Sequence, residues 1–178
     1  MTTNRKGAIA ELAITLAAVK LGVDVYRPVA EGGRFDLIFD LNGRLSRVQC
    51  KWAPLEDEVI VVRCYSCRRG PEGLRSRKYG GDEIDAYAAY CADIDRCYFL
   101  RYEEFGGRRQ IGLRLSRTKN NQNLGVNWAS SYEFEATLGP FGAVAQLGER
   151  LAGSQKVTGS SPVGSTPLSR PVSGTATT

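Results

Sequence analysis

The chain has 178 residues, 24 Lys and Arg against 19 Asp and Glu for a net charge of +5, and no histidine. That length holds one domain with a sizeable core and leaves no second globular unit to assign, and the charge is a mild bias toward polyanionic partners, too small to name one. The absent histidine removes Ser-His-Asp and Cys-His nucleophiles, histidine-based zinc catalysis and the histidine nucleases, so a hydrolase here has to work with carboxylates, lysine and a metal ion. No apolar run is long enough to span a bilayer, and the N-terminus lacks the succession of a signal peptide, so a soluble, cytoplasmic protein is expected.

Residues 6–21 carry apolar side chains at Ala8, Ile9, Leu12, Ala13, Leu16 and Val19, a three-and-four spacing that predicts an amphipathic helix closing at Gly22. Glu11 is its only acid and lies beside that stripe. It reads either as a flank residue snorkelling to water or as a carboxylate pointed at whatever the helix packs on.

Residues 34–41 and 44–51 are apolar-rich runs separated by Asn42-Gly43, the strongest short-range signal for a type I′ hairpin. Pairing Leu41 with Arg44 carries Asp36 opposite Gln49, and the period of two returns Lys51 to the same face. A carboxylate, an amide oxygen and an ammonium then share one patch. By itself the patch is equally a solvated face; joined by Glu11 it becomes a hard-cation site with a lysine left over for chemistry.

A strand over residues 58–63 ends at Arg63. It leads into a Gly/Pro-punctuated run, 67–78, expected to be a flexible loop carrying Arg68, Arg69, Arg75, Arg77 and Lys78 against the single acid Glu72. The loop is either solvated surface or a DNA-contacting element, with guanidinium groups on phosphates and guanine edges, that orders on binding. Cys64 and Cys67 have zinc-ligand spacing, but Cys91 and Cys97 are too far apart to complete a tight knuckle and sit in strand-like runs. Strands are expected over 85–90 and 96–100, joined by an acidic turn, and over 110–115. The polar cluster at Lys119, Asn120, Asn121 and Gln122 suits adenine edges or an ordinary turn. Together these predict a mixed sheet with a helix against one face, an α/β or α+β unit.

An acid on a leading helix, then Asp36, a hairpin, Gln49, one residue and Lys51, resembles the active site of the PD-(D/E)XK nucleases. Residues 78–91, 113–122, 127–128 and 132–134 extend the resemblance to the branch of that family encoded in group I introns, over residues 6–134 in all. Phe35 stands where the family name has proline, and Gln49 where most members have an acid; the intron-encoded branch is similar in using glutamine. The resemblance implies a restriction-endonuclease-like core, mixed sheet flanked by helices. It implies Mg²⁺, with Mn²⁺ as the alternative, held by Glu11, Asp36, Gln49 and the Cys50 carbonyl, and Lys51 acting on the attacking water. It further implies a double-stranded DNA target and a homo-oligomer, a dimer at least or a tetramer, nucleoid-associated when bound to DNA. Three rivals stand beside it: a restriction-type or Holliday-junction nuclease with the same residues, a non-catalytic DNA-binding protein with a degenerate core, and a small domain whose basic loop is only solvated.

From Gly139 onward Phe141 is the only aromatic residue, and a Ser/Thr/Pro/Gly tail follows that reads as disordered. Residues 142–150 and 157–165 resemble conceptual translations of the D-arm and T-arm of a tRNA gene. The expected organisation is an endonuclease domain at 1–139 and a tail at 140–178 read through a tRNA gene, which is also the expected DNA target.

Overall fold

The computed structural model describes residues 1–30, 32–70, 72–116 and 125–139. Helix α1 (Thr3–Lys20) is capped by Thr2, whose hydroxyl accepts from the Arg5 N–H, and it closes at Gly22, where φ is 77°. Strands β1 (Asp24–Tyr26), β2 (Leu37–Leu41) and β3 (Arg44–Trp52) form an antiparallel meander. The turn between β2 and β3 is the expected one: Asn42 and Gly43 both take positive φ, 59° and 82°, and Leu41 pairs with Arg44 down to Leu37 with Val48.

The chain then leaves the sheet for a second layer, β4 (Leu55–Glu56) and β5 (Val59–Arg63), and for a two-stranded ribbon, β6 (Tyr65–Gly70) and β7 (Gly73–Lys78). It returns as β8 (Ala86–Cys91), parallel to β3, and β9 (Arg96–Arg101), antiparallel to β8. The main sheet thus has the order β1-β2-β3-β8-β9. A short helix α2 (Tyr102–Phe105) precedes β10 (Gln110–Arg114), which pairs with β5, and α3 (Phe134–Thr137) caps the end. The run expected as a flexible loop is therefore ordered as a hairpin. Its backbone ladder needs no apolar side chains, and Gly70 and Gly73 serve only its turn.

Alternation along β3 sends Val48 and Cys50 to one face and Gln49 and Lys51 to the other. The first face, with Leu37, Phe39, Ala86, Ala88 and Phe99, packs against α1; Phe39 stacks on Phe99 at 6.0 Å and meets Phe134 edge-on at 6.2 Å. The second face, through Tyr87, Ala89, Tyr98 and Leu100, packs against Ile60, Val62, Ile111 and Leu113 of the small sheet.

The helix face differs from the expected stripe. Ala10, Ile14 and Ala18 are buried, whereas Leu12, Leu16 and Val19 are 64%, 56% and 55% exposed. The helix carries apolar residues on two adjacent stripes. The one with alanines lets the backbone approach the sheet closely, and Ile14 supplies the large contact, about 1.5–3 kcal/mol of burial.

Candidate active site

Asp36 stands one residue before β2, where its own N–H still donates to the Val48 carbonyl at 2.9 Å. There the backbone ladder ends and the carboxylate takes over: Asp36 Oδ2 accepts from the Cys50 N–H at 2.8 Å and from the Gln49 side-chain amide. Gln49 is buried, and its Nε2 also reaches the Cys50 carbonyl at 3.3 Å. Burial raises the proton affinity of Asp36 above the ordinary carboxylate value, against the pull of the Cys50 amide, Lys51, Gln49 and Arg27.

Lys51 lies on the same face, its Nζ donating to Tyr79 Oη at 2.9 Å and to the Tyr65 carbonyl at 3.2 Å. Desolvation brings its pKa down to about 8; the negative charge of Asp36 resists the shift and Arg34 adds to it.

Glu11 is half-buried, its side chain 33% exposed. It lines, with Asp36, Gly33, Phe35 and Arg27, a cleft of about 670 Å³ between α1 and the segment leading to β2, and its Oε2 pairs with Arg27 Nη2 at 2.6 Å.

The sequence reading thus placed Glu11, Asp36, Gln49, Cys50 and Lys51, and the fold brings them to one locus. It missed Arg27, Arg34 and Tyr79. Arg27 joins Glu11 across sixteen residues, and no local pattern marks it.

A family model described as PD-(D/E)XK endonuclease matches residues 1–135. The chain belongs to the PD-(D/E)XK endonuclease family. Among solved structures it is similar to a bacterial homing endonuclease, I-Ssp6803I, at 24% sequence identity and a TM-score of 0.60, covering 88% of this chain and 100% of that one. That likeness establishes the restriction-endonuclease-like fold. Comparison with curated proteins gives no match. No helix among the described residues is long and apolar enough to cross a membrane.

PD-(D/E)XK nucleases usually use divalent metal ions. Among the described residues no three His, Cys, Asp or Glu side chains gather as a metal cluster. The locus instead offers two carboxylates, Asp36 and Glu11, the Cys50 carbonyl and, once its amide turns, Gln49 Oε1. An all-oxygen set of low charge fits a hard divalent cation that takes its remaining ligands from water and phosphate. Cys64 is buried and Cys67 is exposed on the ribbon; all five cysteines are free thiols.

In this PD-(D/E)XK chain the ribbon starts beside Lys51. Its register puts positions 68, 75 and 77 on one face, Arg68 directly across from Arg75. Arg75 is paired with Glu72 and Arg77 with Glu83, while Lys78 Nζ donates to the Gly107 carbonyl at 2.6 Å. The opposite face meets Arg109, which donates to Ser76 Oγ at 3.2 Å and lies 5.1 Å from the Tyr65 ring. Arg63 is exposed at the end of β5, outside the ribbon. Lys119, Asn120, Asn121 and Gln122, and the tail 140–178, lie outside the described residues.

Proposed function

We propose that this endonuclease cuts both strands of DNA at a specific site with Mg²⁺, or Mn²⁺ in its place, and so initiates homing of a group I intron, with an intron-free tRNA gene as target. The observation that carries the proposal is the convergence of Asp36, Gln49 and Lys51 beside the Glu11 cleft, with a basic ribbon rooted at the same lysine. A two-stranded ribbon has the width to enter the major groove. Its arginines at 68, 69, 75 and 77, with Lys78 and Arg63 nearby, supply phosphate and guanine contacts. We assign residues 1–139 to the nuclease unit and 140–178 to a read-through tail, and give Lys119, Asn120, Asn121 and Gln122 a second DNA-contacting role.

In the mechanism, Asp36, Glu11, the Gln49 side chain and the Cys50 carbonyl would hold the cation, which would supply positive charge against the scissile phosphate. Lys51 Nζ, whose pKa desolvation lowers to about 8, takes a proton from the attacking water. The ammonium so formed faces the charge that develops on the phosphate, in a half-buried site. Two strands require two such sites, so the active species is a homo-oligomer, a dimer or a tetramer.

The test is incubation with Mg²⁺ and a plasmid carrying an uninterrupted tRNA gene, beside Lys51→Ala and an EDTA control. Linearisation at one site, lost in both controls, is the expected result. Tight binding with steep salt dependence and no cut would instead leave a DNA-binding protein with a degenerate core, the reading that the Gln49 substitution favours. Preference for branched over linear DNA would make it a junction nuclease.

A further inference from the structure

Lys51 is held from outside the strands that carry the catalytic residues. Tyr65, whose carbonyl accepts from Nζ, opens β6, and Tyr79, whose hydroxyl accepts from it, follows the last residue of β7. Both acceptors therefore belong to the roots of the ribbon. Tetrahedral nitrogen offers three directions beyond its stem; two are taken by these oxygens, which leaves one to aim at substrate.

Tyr79 is itself clamped. It is 6% exposed, the Arg34 guanidinium lies 4.2 Å over its ring, and Tyr87 meets it edge-on at 5.8 Å. Arg34, two residues before Asp36, is fixed in turn by the Lys78 carbonyl at 2.8 Å, Ser66 Oγ at 2.9 Å and Glu83 at 3.0 Å. Ser66 and Lys78 are again ribbon-root residues. One cross-brace thus joins both legs of the ribbon to the segment bearing Asp36 and to the amine of Lys51.

We infer that Tyr79, backed by Arg34, is a positioning residue that aims Lys51 and couples the seating of the basic ribbon to the direction of the catalytic amine. The inference rests on the nuclease reading above. A four-carbon stem left without acceptors spreads over many rotamers, and a displaced reacting group loses rate steeply. A ribbon lifted from its roots carries both acceptor oxygens away, so a ribbon seated wrongly on a DNA sequence leaves the lysine unaimed.

The experiment compares the full chain with Tyr79→Phe, which keeps the ring under Arg34 and deletes the hydroxyl, and with Tyr79→Leu, which deletes both. Two readouts are used: the rate at which limiting acetic anhydride labels Lys51, normalised to exposed Lys20, and the single-turnover cleavage rate set against DNA affinity on whichever tRNA-gene plasmid the wild type cuts. In Tyr79→Phe, labelling of Lys51 rises about fivefold, the factor for one lost hydrogen bond, with the cooperative melt retained. Cleavage falls about 10- to 100-fold while affinity holds. Unchanged labelling, or unchanged cleavage in a variant whose labelling has risen, overturns the inference, and wild-type behaviour of Tyr79→Phe beside a melting loss in Tyr79→Leu reduces Tyr79 to packing. Labelling needs no cleavage. A wild type that cuts no target therefore counts against the nuclease reading, and the clamp stands or falls on labelling.

Discussion

Gln49, one residue past the last hairpin pair Leu37–Val48, donates its side-chain amide to the Asp36 carboxylate. An amide at this position satisfies a half-buried carboxylate without a second negative charge. Gln49→Glu would reverse that balance: without metal, two facing carboxylates repel and the variant loses about 1 kcal/mol, whereas a divalent ion gains a charged ligand. Thermal melts in EDTA and in increasing Mg²⁺ check this. The Mg²⁺-induced rise in Tm should be larger in the variant than in the wild type; an equal rise removes position 49 from the metal site.

The depressed pKa of Lys51 carries a stability signature. Its amine releases its proton at about 8 in the folded chain, against 10.5 when unfolded. Between those values the unfolded chain binds more protons, so stability rises with pH through this window and the cost of the buried ammonium is fully present below pH 8. Lys51→Met lacks the effect. The wild type should gain about 1–3 kcal/mol on the variant between pH 8 and 10.5, measured by urea unfolding at several pH values. The comparison uses the slope, because the substitution also leaves Asp36 without its nearby cation.

The ribbon arginines should bind DNA through phosphate charge. Arg77 can be removed without stranding Glu83, which keeps Arg34 at 3.0 Å. The double variant Arg75→Ala with Arg77→Ala should weaken duplex binding and reduce the slope of log Kd against log salt by about 0.9 for each lost contact. Fluorescence anisotropy at four or more salt concentrations reads it, with Lys20→Ala as the control expected to change nothing.

Helix α1 offers a direct comparison of its two apolar stripes. Ile14 is fully buried against the sheet and Leu16 is 56% exposed. Ile14→Ala should cost about 2–5 kcal/mol and Leu16→Ala less than about 0.5, by chemical denaturation. Equal costs would mean that the exposed stripe is covered in solution.

The grouping of Asp36, Gln49 and Lys51 was legible because its geometry is local. Asn42-Gly43 sets two positive φ values, the turn sets the register as far as Leu37–Val48, and a period of two puts Gln49 and Lys51 on one face; Asp36, one residue past the last pair, joins them through its carboxylate. The strands at β5, β8, β9 and β10 were legible for a similar reason, since β-branched and aromatic runs bounded by turn residues leave little choice. The ribbon was not: a basic, Gly/Pro-punctuated run has no apolar face to give a period, and its strands are held by a ladder between backbones.

What only the tertiary structure decided are relationships across long separations in sequence. Two stripes of α1 share the helical period, and it is the close approach allowed by Ala10 and Ala18, not the larger side chains, that selects the buried one. Whether Glu11 served water or the site was open in the sequence, and the packing of α1 turned it into the cleft shared with Asp36 and gave it Arg27. The partners of Lys51 are residues 65 and 79, brought to it by the crossover between two parallel strands. Periodicity reports the face a residue occupies within its own element; the neighbour across from it is set by how elements meet, and that is fixed by the packing of the whole core.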